Sequence, residues 1–536
     1  MSDLDANEEA APADPVMEEQ VAVEAQQQGD VSVAPHSRSR LSGSWGVLVV
    51  ALLALVLSSV GSNRIWFSGD ELATISGSTR TVPEMWRMFG HIDLQQAVYY
   101  SLIHIWHSAI PVSEFSTRLP SALGVAIAAA GVVVLGKQIS TPKTAFTAGL
   151  VFAVLPRVTF SGIDGRVYAL TMAVAVWLTV FCVAAARRGR PWWWVVYSLC
   201  LILAILTSIH LILIIPAHAV VVRSYANNSR AFRNWTAAAA ASVFAMVPFL
   251  FAVKLMFPGR WIPRFTWHTV RHVLLDQYFG TDFGWYVGNS ALVALVAAII
   301  VLVALVLGFR SGGRHLNAPL AIVVTWIVAP TLFLLLLTVV SPAYIPRYMS
   351  FTAPAFALLL GTCITVVARS WVRIGGVLAV FVIAVTPVYL AQRAIPFIRN
   401  NQDYGQVAQI IDNSATPGDC FLIEDTDKKR WPPLRSMVVA RPEVYERLTD
   451  PGVLVSDNIF NWSKKPSQVA AKLAACPAVW VISDRDSTVP SHQQGPALSP
   501  GPLLGTTESF QVTSGLGFRV VEDWQLRSTQ LTKLMR

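Results

Sequence analysis

The run Val47–Val60, VLVVALLALVLSSV, is followed a few residues later by Ser68-Gly69-Asp70-Glu71. A spanning helix needs ~20 largely apolar residues, and the apolar stretch extends to 45–63, so it reads as a first membrane span. Two carboxylates directly after it cannot lie in hydrocarbon cheaply. They belong at the far mouth of the span, where ionisable residues point to function.

Composition extends this reading to the whole chain. Of 536 residues, 54% are apolar and 14% charged, and the mean hydropathy is +0.51. That is a polytopic α-helical membrane protein, not a soluble one. The net charge of +9 does not indicate nucleic acid, because Lys and Arg fall in short clusters between apolar runs and form no groove-tracking stripe. Residues 1–43 are acidic, rich in Ala, Gln and Val and nearly free of aromatics, which predicts a disordered cytoplasmic tail. The tail is too long and acidic for the n-region of a cleavable signal.

Spans are expected at 45–63, 116–136, 143–158, 166–186, 191–207, 208–223, 234–256, 288–308, 317–340, 349–368 and 373–391. Segment 93–111 is amphipathic, carrying Asp93, Gln95, Gln96, His104 and His107 among aromatics. Loop charge decides its status. With 93–111 taken as an interfacial or re-entrant helix, the loops bearing Lys137 and Lys143, Arg187-Arg188-Gly189-Arg190, Arg223 to Arg233, Arg310 with Arg314 and Arg369 with Arg373 all face the cytoplasm. His36-Ser37-Arg38-Ser39-Arg40 then holds the N-terminus there too. The expectation is about eleven spans in a plasma-membrane protein, with Asp70 and Glu71 outside.

On that topology four external pieces collect unusual chemistry. The first carries Asp70, Glu71, His91 and Asp93 and ends in Phe115-Ser116-Thr117-Arg118-Leu119-Pro120-Ser121-Ala122-Leu123. The second carries Arg157 and Asp164-Gly165-Arg166-Val167-Tyr168; the third, 257–287, is rich in Trp, Arg and His; the fourth is Tyr344-Ile345-Pro346-Arg347-Tyr348. In order and on one face, these stretches resemble the polyprenol-dependent glycosyltransferases of the GT-C fold, in particular the branch of protein O-mannosyltransferases and lipid A aminoarabinose transferases. The resemblance covers residues 45–390. It departs where that family opens its aromatic helix with a His-Pro-Pro-Leu-like sequence, because here the chain reads His91-Ile92-Asp93-Leu94.

The resemblance implies an inverting transfer of a sugar, mannose or a pentose, from a polyprenyl-phosphate carrier to an extracytoplasmic hydroxyl on a glycan, glycolipid or protein. A hydroxyl acceptor needs a general base, and Asp70 is assigned that role because the first acid of the pair holds it in the resembling family; Glu71 orients the loop or donor sugar. The leaving phosphate needs fixed cations, and Arg suits phosphate oxygens better than Lys. Arg118, Arg166 and Arg347 are the candidates. His91, Asp93, Asp164, Tyr168 and Tyr348 are candidate substrate contacts. A divalent metal on His91 and Asp93 stays open as a cofactor.

Simpler readings stand beside these. Asp70-Glu71 can cap an interfacial helix over 71–77, and the arginines, each at a span end, can snorkel to headgroups. A transporter or flippase is the alternative function, although paired interrupted helices in two halves are not visible.

After Arg393 the apolar runs shorten to strand length. A helix over 402–413, strands at 420–424 and 478–482, a helix at 467–475 and a strand over 518–526 predict an extracytoplasmic α/β domain, 393–536, following a catalytic membrane domain over 44–392. Cys182, Cys200 and Cys363 lie in spans as apolar fillers. Cys420 and Cys476 each precede a strand, and in an oxidising compartment they can form a disulfide.

Overall fold

The computed structural model describes residues 39–226, 228–256, 262–280, 289–310, 317–394, 403–424, 434–450, 452–454, 457–460, 462–486, 494–495 and 501–536. The tail expected over 1–43 thus falls outside the described residues as far as 38, and so do Trp261 and Trp285 of the third external piece. Gly46–Arg536 form one compact unit.

Every expected span contains helix, but not all are of spanning length. Among the described residues, eight helices qualify by length and composition, or nine if the bent pair Pro142–Val154 and Pro156–Gly162 is one span. Two expected spans correspond to shorter apolar pieces, Trp192–Thr207 and Ile209–Tyr225. Their shortness has a local cause. Ser208 is extended, and Ile209–Ile214 is a 3₁₀ turn before the helix resumes. The bend of 60° in the other pair comes at Leu155, extended as the residue before Pro156 must be.

The bundle core is closed by small residues. A Cβ on Gly131 would come within 2.5 Å of Val176, and one on Gly361 within 2.7 Å of the Ala148 backbone. Such close approach is what holds helices together where apolar burial gives no preference over lipid. Segment 93–111 contains the helix α4, Ala97–Ala109, 13 residues long and so shorter than a span requires, with Tyr99, Tyr100 and Ile103 buried. Before it come α1 (Ser39–Ser59), α2 (Gly69–Ser78) and α3 (Val82–Phe89), and after it α5 (Glu114–Ile139).

The C-terminal part carries a five-stranded sheet in the order β1-β4-β7-β6-β5, built from Cys420–Ile423, Ala478–Asp484, Thr529–Met535, Arg519–Gln525 and Gln494–Gly495 respectively, and a separate antiparallel pair, β2 (Val453–Leu454) and β3 (Trp462–Ser463). Only β1 and β4 run parallel. Alternation gives the sheet two buried faces: Phe421, Trp480, Ile482, Trp524 and Leu531 pack on one side, Cys420, Leu422, Val479, Val481 and Leu534 on the other. The three expected strands are present, as β1, β4 and β6; β7 and the short β2, β3 and β5 are additions. Strand β7 follows β6 through a tight turn whose Ser528 and Thr529 amides donate to the Asp403 carboxylate at 2.8 and 3.2 Å. Cys420 and Cys476 are disulfide-bonded, with Cα atoms 5.8 Å apart.

Candidate active site

Ser68 starts the site. Its hydroxyl accepts from the Glu71 amide, and its own amide donates to Glu71 Oε2 at 2.9 Å, a reciprocal capping box that begins α2. The capping reading therefore holds for Glu71, with Ser68 as cap. Because Glu71 is turned back to its own helix start, Asp70, one position earlier, faces elsewhere.

Glu71 is buried and locked. Arg118, in the first turns of α5, donates to it from Nε at 2.7 Å and from Nη2 at 2.9 Å, and the Gly165 amide adds a third bond at 2.9 Å. A side chain at Gly165 would crowd Thr117 and Glu71 at 3.1 and 3.4 Å. Burial alone would raise the Glu71 pKa, but the Arg118 charge and these hydrogen bonds hold it below the ordinary carboxylate range. Glu71 is thus favoured as an anion, fixed on three sides by Ser68, Arg118 and Gly165.

Arg118 is equally committed. Besides Glu71 it donates to the carbonyls of Ser62, Ile65 and Trp66. All five guanidinium N–H groups are used, and only 1% of the side chain is exposed. Arg118, expected as a ligand of the donor phosphate, here fastens the 62–71 loop to the bundle, with each of its donors on a protein acceptor.

Asp70 is the open member of the pair, with a third of its side chain exposed. Arg347, in the 3₁₀ turn Pro346–Thr352, donates from Nη1 to Asp70 Oδ2 at 2.9 Å. The same guanidinium carbon lies 5.8 Å from the centre of the Tyr168 ring. Arg166 approaches from the other side of the chemistry, through the main chain: its Nη1 donates to the Asp70 carbonyl at 3.1 Å, to Thr74 Oγ1 at 3.2 Å and to the Tyr100 hydroxyl at 3.2 Å. Its Nε is buried without a hydrogen-bond partner among the described residues. Unlike Arg118, Arg166 keeps donor capacity for an anion.

Tyr100 links Asp93 to this group, donating to its Oδ2 at 2.8 Å. Asp93 adopts a left-handed backbone, φ 57°, which Asp tolerates better than most residues. Burial raises its pKa, with the Asp70 charge adding to the effect and Arg166 and Tyr100 opposing it. Asp164 is buried next to Gly165 and Arg166. Tyr348, half-buried, stacks on His210 with ring centres 4.5 Å apart. His91 is not brought into the group. It is exposed, with Nδ1 2.9 Å from the Arg87 carbonyl.

Among the described residues no group of three or more His, Cys, Asp or Glu side chains is arranged to hold a metal ion. His91 and Asp93, the pair considered for one, are engaged separately by the Arg87 carbonyl and by Tyr100. Sequence reasoning also missed Thr74, which accepts from Arg166, and His210, which stacks on Tyr348. Thr74 had a signal, lying one helical turn after Asp70.

No family model matches the sequence, and no curated protein matches it. Solved structures do. ArnT from Cupriavidus metallidurans in the apo state aligns over 92% of this chain and 98% of its own, with a TM-score of 0.53 and 13% identity. The same protein bound to undecaprenyl phosphate aligns over 91% and 98%, with a TM-score of 0.51 and 13% identity. The arabinofuranosyltransferase AftD from Mycobacteria gives a TM-score of 0.47 at 15% identity, over 93% of this chain and 40% of its own. At such identities the ArnT likeness speaks for architecture, and the architecture of this chain is the GT-C membrane fold with a small C-terminal sheet.

Proposed function

We propose that this protein is an inverting glycosyltransferase that moves a sugar from a polyprenyl-phosphate carrier to a hydroxyl acceptor at the extracytoplasmic face. The observation that carries the reading is the placement of Asp70 between two arginines, Arg347 on its carboxylate at 2.9 Å and Arg166 on its carbonyl at 3.1 Å. A carboxylate that is partly open and flanked by buried cations suits a reaction in which a proton is taken up while phosphate charge develops nearby. The ArnT fold supports it, since one ArnT structure holds undecaprenyl phosphate. Loop charge supports the external placement of the site.

In this reading Asp70 accepts the proton from the acceptor hydroxyl as its oxygen attacks the anomeric carbon. The bond from that carbon to the phosphate oxygen breaks, and the electron pair leaves on polyprenyl phosphate, whose charge Arg347 and Arg166 receive. Displacement from one side inverts the anomeric centre. Glu71 and Arg118 take no part in the bond changes and hold the loop in register. Mannose and a pentose are the donor sugars in keeping with this chemistry.

The test is incubation of the purified full-length protein in nanodiscs with labelled polyprenyl-phosphate mannose or pentose and a cell-envelope acceptor fraction. The reading expects label in a new glycosidic bond and release of free polyprenyl phosphate. Label that crosses sealed vesicles without a new bond would overturn it in favour of transport.

A further inference from the structure

The C-terminal α/β part touches the Asp70 loop at both of its ends. At the N-terminal end, the Cβ of any residue other than glycine at position 405 would come within 2.4 Å of the Trp66 ring, and Trp66 supplies one of the carbonyls that hold Arg118. Next to it, Arg441 pairs with Glu114, the first residue of α5, and its guanidinium carbon lies 5.7 Å from the centre of the Phe67 ring. Arg118 lies at the same 5.7 Å from that ring, within the range of a cation–π contact. Phe67 is thus gripped by one guanidinium from the bundle and another from the α/β part, immediately before the Ser68 cap of α2.

The far end of α2 is held as well. Arg80 donates to the Asn458 and Ile459 carbonyls at 2.5 and 3.3 Å, Ser76 donates to the Ile459 carbonyl, and Arg435 donates to the Thr79 carbonyl at 3.2 Å. Apart from the Arg441–Glu114 ion pair, these contacts are made by side chains on one partner and main chain or ring on the other. They fix a position without supplying any group that reaches Asp70.

We infer that the α/β part sets the position of the Asp70 helix, and that Arg441, through Glu114 and Phe67, is its positioning residue. The inference rests on the proposed transferase reading for its effect on rate. It does not rest on that reading for the coupling itself. Arg441 bridges the start of a membrane helix and the residue before the α2 cap, so its removal takes one tie to the α/β part from each of them. A displacement of the base by roughly an ångström is enough to cost orders of magnitude in rate.

The experiment compares wild type, Arg441→Ala and the exchanged pair Arg441→Glu with Glu114→Arg, all as full-length protein in nanodiscs. Hydrogen exchange of residues 66–80 reads the coupling without any substrate; donor KM and kcat read its consequence. The expected result for Arg441→Ala is faster exchange across 66–80 with exchange in the membrane helices unchanged, and kcat lowered roughly ten-fold or more at an unchanged donor KM. The exchanged pair should recover both at least in part. Unchanged exchange in Arg441→Ala overturns the inference, as does faster exchange with an unaltered kcat. Absence of transfer by the wild type overturns the transferase reading instead, and leaves the exchange comparison to decide the coupling. If Arg441→Ala does not fold, Glu114→Gln, which keeps the volume and an acceptor oxygen, is read by the same two measurements.

Discussion

Arg347 and Asp70 are each other's partner at 2.9 Å, so the cation proposed for phosphate and the carboxylate proposed as base are joined before any substrate is considered. A phosphate that takes Arg347 must compete with Asp70 for it. Loss of the Asp70 charge should therefore release Arg347 to the lipid. Asp70→Asn is expected to bind polyprenyl phosphate at least as tightly as wild type, and Arg347→Ala to bind it more weakly by roughly ten-fold or more, the ~1.5–3 kcal/mol of a charged hydrogen bond. Titration of nanodisc-embedded protein with a short-chain polyprenyl phosphate checks both. Weaker binding in Asp70→Asn would place the phosphate elsewhere.

Arg166 and Arg118 should separate in the same titration. Arg166 has a buried Nε without a partner among the described residues, whereas every donor of Arg118 is spent on Glu71 and three carbonyls. Arg166→Ala is expected to weaken phosphate binding with little change in thermal stability. Arg118→Ala is expected to lower stability by about 3–5 kcal/mol, the cost of leaving a buried carboxylate unpaired. Combined with Glu71→Ala it should cost clearly less than the sum of the two single changes, as read by thermal unfolding in detergent.

Two acids give opposite pH signatures. The Glu71 pKa is lowered from 4.5, so its stabilisation is full above that value and is lost as pH falls through the lower folded pKa. The Asp93 pKa is raised from 3.8, so the folded state holds that proton more tightly, and stability falls as pH rises from 3.8 through the folded pKa. Asp93→Asn, which tolerates the left-handed backbone and still accepts from Tyr100, should remove the second effect while leaving the first. Thermal unfolding midpoints of wild type and Asp93→Asn across the acid range decide this; parallel curves would contradict it.

The Cys420–Cys476 bond closes 56 residues of chain. By loop-closure entropy it contributes about 4 kcal/mol to the α/β part. Cys420→Ser should lower the unfolding midpoint of that part, and reductant should do the same to wild type and nothing to the variant. Calorimetry or near-ultraviolet circular dichroism would follow it.

The helical membrane architecture was legible because it rests on composition along the chain. The amphipathic character of 93–111 set it apart from the apolar runs, and it forms the short helix α4, while each apolar run became helix. The span count was less legible. A break such as extended Ser208 with its 3₁₀ turn arises from packing, which hydropathy does not carry. Within the site, residue types and their order brought Asp70, Arg166 and Arg347 into view, since charges near spans are rare enough to stand out. The task of Arg118 was hidden, because it depends on main-chain carbonyls at Ser62, Ile65 and Trp66 that no side-chain pattern announces. Arg441 was hidden for a different reason: it lies over three hundred residues from its partner Glu114 (|i−j| = 327), and the separation gives no local periodicity to read.

Sugar transfer by Asp70→Asn is the most direct measurement of the central claim. With labelled polyprenyl-phosphate sugar and wild-type protein as reference, the variant should bind the lipid and lose transfer by roughly 10²-fold or more, the contribution of a positioned base. Transfer undiminished in Asp70→Asn would contradict the assignment of Asp70 and with it the mechanism built on the Arg347 and Arg166 pair.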